Sequence, residues 1–251
     1  MIIPTILENS FEEIIRKVKM LREEATKIQI DVVDKEFTDN ETFMDVDKLD
    51  GIETSAELEL DLMVRNPMPF LEKKIKKVEK VCFNIEFFEY VDEFIEKAKK
   101  LGYKVGLSLN PETELFKLNN YLTKVDYIQF LTIKPGKQGN AFIPTVLKKI
   151  VQFRDLKTNL PIQVDGGVGE ENLKSVIEAG ADDVIVGSHI WTQKDPVQEC
   201  IILIKMAERI QKEMENTKNK IVIKKIAFLG GAAWKPTDTV YKLARETAGL
   251  L

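Results

Sequence analysis

Histidine is nearly missing from this chain: His189 is the only one in 251 residues. A centre built from several imidazoles, of the kind that suits zinc or iron, is therefore excluded. Cysteine is scarce as well. Cys82 and Cys200 stand far apart with no paired spacing, which argues against a disulfide framework and fits a reduced, cytoplasmic compartment. No uncharged apolar run reaches the ~18 residues that a membrane span needs. Met1-Ile2-Ile3-Pro4 lacks the charged start and long apolar stretch of a secretory signal. Nor is there a surplus of positive charge. Lys+Arg 37 against Asp+Glu 41 leaves a formal net charge of -4, so composition makes no case for nucleic acid.

Apolar residues make up 44% of the chain, enough for a sizeable core in one barrel-sized domain, with or without an appendage. They fall into short runs alternating with segments of helical period. Strand-like runs occupy Ile2 to Leu7, Lys27 to Val33, Leu58 to Val64, Val81 to Glu86, Lys104 to Leu109, Tyr127 to Ile133, the stretch at Ile162, and Asp183 to Val186. Between them, a helix from Phe11 to Glu24 is capped by Ser10, with Glu13 third after the cap. Further helical patterns run around Glu41 to Leu49, onward from Asn66-Pro67, and over Tyr90 to Leu101, Pro144 to Leu156, Glu170 to Glu178 and Pro196 to Met214. Eight such alternations predict an α/β fold, an eight-stranded parallel (β/α)8 TIM barrel over residues 1–217. An open doubly wound sheet would show fewer repeats and a glycine-rich loop after its first strand. Here the first strand ends in Leu7-Glu8-Asn9, and the glycines collect late.

Residues 218–251 lie outside that count. An apolar strand from Ile221 to Leu229, a turn at Gly230-Gly231-Ala232-Ala233 and a helical segment from Asp238 to Leu251 predict a C-terminal strand–helix extension. It reads either as the truncated start of a Rossmann-like domain or as an arm, since one strand and one helix bury no core alone.

The chemistry gathers at Pro161-Ile162-Gln163-Val164-Asp165-Gly166-Gly167-Val168-Gly169 and its echo, Asp183-Val184-Ile185-Val186-Gly187-Ser188. Each is a buried-strand pattern breaking into a glycine turn before a helix, where free backbone N–H groups favour an anion such as phosphate. Asp165 stands at the strand end, the edge where parallel barrels do chemistry. Asp31 sits within an apolar strand and Asp61 between Leu60 and Leu62. An unpaired carboxylate there is costly, so both are expected to serve a site. Asp34 and Asp39 read as caps, His189 as a loop or helix-start residue, and Met63, Trp191 and Trp234 as packing. Glu86 is expected to orient a lysine or a loop.

The ordered series of strand-end motifs resembles one family. It runs through Pro4-Thr5-Ile6-Leu7, Ile30-Asp31-Val32-Val33-Asp34 with Phe37 and Asn40, Leu62-Met63-Val64-Arg65-Asn66-Pro67, and Glu86. It continues through Gly106, Leu109-Asn110-Pro111-Glu112-Thr113, Pro135-Gly136 with Gly139, Phe142-Ile143-Pro144, Val164-Asp165-Gly166-Gly167-Val168 and Gly187-Ser188. From Ile3 to about Trp191 the chain is similar to ribulose-phosphate 3-epimerase, a phosphate-binding barrel of the pentose phosphate pathway.

The resemblance implies an isomerase that interconverts D-ribulose 5-phosphate and D-xylulose 5-phosphate through an ene-diolate. Asp31 and Asp165 would be the two proton carriers, working from opposite faces of the sugar. Thr5, Met63, Gly136, Gly139, Gly166, Gly167, Gly187 and Ser188 would contact sugar and phosphate. The family usually holds a divalent metal with two histidines and two aspartates, at positions matching Gln29, Asp31, Asp61 and Asp165. Both histidine positions are changed, to Gln29 and Asp61. Such an oxygen-only set implies magnesium or manganese, or no metal at all. Two outcomes stay open: an epimerase with an altered site, or a non-catalytic phosphosugar-binding barrel with a degenerate metal site. Related decarboxylase and aldolase barrels need a lysine between two aspartates at a strand end, where Asp31-Val32-Val33-Asp34 has valines. The resemblance also implies a small phosphosugar as partner and a homo-oligomer, with no role for nucleic acid or membrane.

Overall fold

The computed structural model describes residues 1–21, 23–86, 88–135, 139–156 and 158–229, with the backbone alone for 221–229. Eight strands form the centre: β1 (Ile2–Ile6), β2 (Lys27–Val33), β3 (Glu57–Met63), β4 (Val78–Asn84), β5 (Lys104–Leu109), β6 (Tyr127–Leu131), β7 (Ile162–Asp165) and β8 (Asp183–Val186). Each pairs in parallel with the next, and β8 returns to β1 to close the barrel. Closure leaves no strand edge to protect. The helices are α1 (Phe11–Leu21), α2 (Val91–Lys100), α3 (Val146–Asp155), α4 (Glu170–Ala179), α5 (Ser188–Trp191) and α6 (Pro196–Leu229).

Local chemistry sets most of these bounds. Ser10 Oγ accepts the Glu13 amide at 3.4 Å, which starts α1. The reciprocal bond of a capping box is not made, because the Glu13 carboxylate takes Arg16 instead. The buried face of α1 is Ile14, Lys17, Val18 and Leu21, the spacing of one helical stripe.

Two crossovers are shorter than their patterns suggest, and a third, after β5, carries no helical pattern. After β2, β3 and β5 the chain forms only 3-10 turns, at Val46–Gly51, Met68–Leu71 and Leu115–Leu118. The helix expected from Asn66-Pro67 is limited to that single turn. Pro67 and Pro69 withdraw two N–H donors within it, and Asn66 Oδ1 takes the Met68 amide, so nothing propagates. β4 also begins earlier than expected, because charged Lys80 belongs to its inward face.

The strand expected over Ile221 to Leu229 is helix instead: α6 passes through the expected stop at Met214 and reaches Leu229. Glu215 to Lys220 contains neither glycine nor proline, so nothing interrupts a helix already nucleated. The expected turn at Gly230 and the helical segment beyond it lie outside the described residues. The chain divides into two compact units at Ile204/Lys205.

Alternate residues of each strand face opposite ways. Ile28, Ile30 and Val32 of β2 and Leu58, Leu60 and Leu62 of β3 form buried apolar rows. The other rows are polar and point inward, because their side chains bond across the barrel between strands that are not neighbours. Gln163 Nε2 on β7 donates to Glu59 Oε2 on β3 at 2.8 Å. Glu59 in turn meets Lys80 at 2.8 Å, and Lys80 lies 3.6 Å from Asp183. Burial pulls the Lys80 pKa down, but Glu59 and Asp183 outweigh it and the net shift is upward. Tyr127 completes this charged floor, with its ring 4.9 Å from Lys80 Nζ. Gly106 makes room for that ring: a Cβ there would lie 2.3 Å from it.

Candidate active site

Above the floor, β2 and β3 run in register so that Asp31 stands directly beside Asp61. Asp31 is 5% exposed. Its Oδ1 accepts Thr5 Oγ1 at 2.7 Å and Gln29 Nε2 at 2.9 Å, and neither bond uses Oδ2. Thr5 is positioned in turn, since the Trp191 indole donates to its carbonyl at 2.6 Å. Trp191 also lies under Lys17 Nζ at 4.4 Å, so it packs rather than facing the pocket.

Asp61 is fully buried. Its Oδ2 accepts Gln129 Nε2 of β6 from across the barrel at 2.6 Å, while Oδ1 has no hydrogen-bond partner among the described residues. Asp165, at the end of β7, is fixed through its backbone. Its carbonyl accepts the Thr132 amide at 2.7 Å and Thr132 Oγ1 at 3.0 Å, and that hydroxyl also reaches the Gly166 carbonyl at 2.6 Å.

Three carboxyl groups in a dry interior cannot all stay ionised. Burial pushes Asp31 up to about 6, against the hydrogen bonds from Thr5 and Gln29 that hold it down. Burial and then the charge of Asp31 push Asp61 up to about 8, against the Gln129 bond. Asp165 is raised well above the usual carboxylate range by burial, then by Asp31 and Asp61. Asp31, which receives two side-chain hydrogen bonds, is the carboxyl group of the three best placed to carry the charge.

The glycine turn forms the pocket's far wall. Gly166 has φ 114 and Gly167 φ 65, both in the left-handed region. A Cβ on Gly166 would lie 2.5 Å from Ile133 Cγ1, and one on Gly167 3.0 Å from the Phe142 nitrogen. Only glycine fits, and successive N–H groups in such a turn make an anion nest.

One pocket is lined by Thr5, Asp31, Met63, Gly139, Asp165, Gly166, Gly167, Gly187 and Ser188, with Leu7 and Ile133 among its apolar walls. Met63 thus reaches the pocket as well as packing with Val33 and Phe37. Gln29 and Asp61 are not in the lining; both are buried and reach the pocket only through Asp31. Gly136 lies outside the described residues. Asp34 ties loops together, accepting the Phe37 and Arg65 amides at 2.6 and 2.8 Å. Glu86 does the same for the Asn110 amide at 3.0 Å. Sequence reasoning missed Gln129 and Thr132. Gln129 carried the same signal as Asp31, a polar residue within an apolar strand.

A cation shared by Gln29, Asp31, Asp61 and Asp165 needs their oxygens around one point. They are not so arranged. Gln29 gives Asp31 an N–H rather than an oxygen beside it, and Gln129 holds Asp61. Among the described residues, the group of His, Cys, Asp or Glu whose ligand atoms all lie within 4.8 Å is Glu170, His189 and Glu199. None of those three lines the pocket. His189 Nε2 sits 2.9 Å from Glu199 Oε1, within hydrogen-bond distance.

No described helix is long and apolar enough to cross a membrane. The fold is shared with 3-hexulose-6-phosphate synthase from Salmonella typhimurium (TM-score 0.64, 17% identity, 83% of this chain and 99% of that one). A tryptophan synthase alpha-subunit from Pyrococcus furiosus is similar at TM-score 0.62 and 15% identity, covering 82% and 96%. Sequence relatives are nearer. The ribulose-phosphate 3-epimerase of Buchnera aphidicola subsp. Baizongia pistaciae is 33% identical over 68% of this chain and 79% of its own. The cytoplasmic isoform from Oryza sativa subsp. japonica is 29% identical over 87% and 96%. The family model described as "Ribulose-phosphate 3 epimerase family" matches residues 1–191. With that match laid over a closed barrel whose strand ends carry Asp31, Asp165 and the glycine turn, the chain belongs to the ribulose-phosphate 3-epimerase family.

Proposed function

We propose that this protein is an isomerase that inverts C3 of a ketose phosphate, interconverting D-ribulose 5-phosphate and D-xylulose 5-phosphate. One observation carries the reading: Asp31, Asp165 and the Gly166-Gly167 turn share a single pocket. A carbon beside a ketone is inverted by taking its proton from one face and returning one to the other. In one direction the Asp31 carboxylate accepts the C3 proton. The electron pair of that C–H bond moves to the carbonyl oxygen, giving the ene-diolate, and protonated Asp165 then returns a proton to the opposite face. Asp31 ends protonated and Asp165 ionised, and the reverse reaction exchanges their roles. Asp31 titrating near 6 and Asp165 well above the ordinary range support this division at neutral pH.

The N–H groups of the glycine turn and the Ser188 hydroxyl hold the phosphate, Met63 and Gly139 bound the sugar, and Thr5 fixes Asp31. Divalent metal use is a property of the family, and an oxygen-only set at these positions suits magnesium or manganese. The same reading makes the protein a cytoplasmic homo-oligomer acting on a small phosphosugar, with no part for nucleic acid or membrane. The rice relative's designation as a cytoplasmic isoform supports the first of these.

Single Asp31→Asn and Asp165→Asn variants should each abolish conversion of one C3 epimer into the other, followed by NMR, even where the remaining aspartate still exchanges the proton on its own face. Full epimerisation in either variant excludes the assignment. A barrel that only binds phosphosugar would retain the substrate in the native chain and exchange nothing, whatever ion is added.

A further inference from the structure

Resting on that reading, we propose that the acid–base site works without a metal, with the amides of Gln29 and Gln129 holding by hydrogen bonds the carboxylates that a cation would otherwise hold. Gln29 and Gln129 act as positioning residues, because they touch the carboxylates and not the pocket.

Asp31 Oδ1 already receives two donors, at 2.7 and 2.9 Å. A carboxylate oxygen offers two in-plane lone pairs, so a cation at Oδ1 must displace Thr5 or Gln29, and only Oδ2 is left to it. Gln29 is a direct obstacle, since its N–H group lies where a ligand would have to present a lone pair. Asp61 is tied from the far side of the barrel by Gln129 at 2.6 Å, a bond between strands three apart in the ring. That tie holds Asp61 below the pocket lining, buried from solvent.

Two oxygens near Asp61 lack a hydrogen-bond partner, its own Oδ1 and Gln129 Oε1. Magnesium and manganese favour about six oxygens, several of them waters when one or two carboxylates bind, and this pair is buried behind the pocket lining, away from such waters. A buried water satisfies such a pair. Charge balance also needs no cation. The proton shuttle moves one negative charge from Asp31 to the substrate and on to Asp165, and creates none.

The test uses the full chain. Purified protein is assayed for metal by mass spectrometry, stripped with chelator, and followed by NMR for C3 exchange of ribulose 5-phosphate, with and without magnesium, manganese, zinc or cobalt. The expected results are no stoichiometric metal and an exchange rate changed by no more than about twofold by chelator or added ion. Exchange that is lost on chelation and restored by one ion, with that ion bound stoichiometrically, overturns the metal-free site and leaves the epimerase reading standing. No exchange with any ion overturns both.

A second measurement needs no turnover. The Gln29→His/Asp61→His variant should bind cobalt stoichiometrically by its visible absorption, whereas the native chain should not. Stoichiometric cobalt at the native site, competed by ribulose 5-phosphate, contradicts the proposal. Gln29→Leu should move the acidic limb of the kcat/KM profile upward, an effect that loss of folded protein alone does not produce.

Discussion

Asp61 shows what burial does to one residue. Its carboxyl group has an ordinary pKa in the unfolded chain and one of about 8 in the fold. The native state therefore holds the proton more tightly. The sign follows: this group's contribution is fully present below its unfolded pKa and is lost as pH rises through about 8. Asp61→Asn removes the ionisation. Its unfolding free energy by chemical denaturation should fall less than the native chain's between about pH 5 and about pH 9, a difference on the order of a few kcal/mol. Equal falls in the two proteins would mean that Asp61 is not the source. Asp31 and Asp61 were legible in the sequence because a carboxylate in an apolar strand demands an explanation. Gln129 was as visible and was passed over, because an amide is cheaper to bury and its partner lies 68 positions away.

Among the elements, the end of β6 does the most for the site. Thr132, just beyond Leu131, clamps the carbonyls of Asp165 and Gly166 with one hydroxyl. Thr132→Val keeps the shape and removes both bonds. It should cost ~1–3 kcal/mol in urea unfolding and slow C3 exchange by loosening Asp165; unchanged stability would show the clamp to be idle. Elements were readable where one signal dominated, as in the apolar run Val184 to Val186 of β8 or in α1 after Ser10. They were misread where signals competed. Asn66-Pro67 looked like a helix start and proved to lead only into a turn. Ile221, Val222 and Ile223 looked like a strand, although an uninterrupted helix was already running into them.

For the whole molecule, closure of eight parallel strands brings together residues that are distant along the chain. The barrel itself was legible from the repeated alternation. Its charged floor was not, because pairing of Glu59 with Lys80 and Gln163, and of Lys80 with Asp183, is decided by how the closed barrel brings these strands together. Removing one member exposes the pairing. Lys80→Met leaves Glu59 buried without its cation and should cost ~3–5 kcal/mol, measured by chemical denaturation. A cost near zero would mean that the floor is held by packing alone.

The most direct measurement follows ribulose 5-phosphate with the native chain in deuterated water at neutral pH, by proton NMR. Two acid–base groups on opposite faces of the sugar require both C3 epimers to appear, each carrying deuterium at C3 and nowhere else. Phosphosugar that binds yet keeps its C3 proton, with no second epimer formed, would contradict the assignment of Asp31 and Asp165.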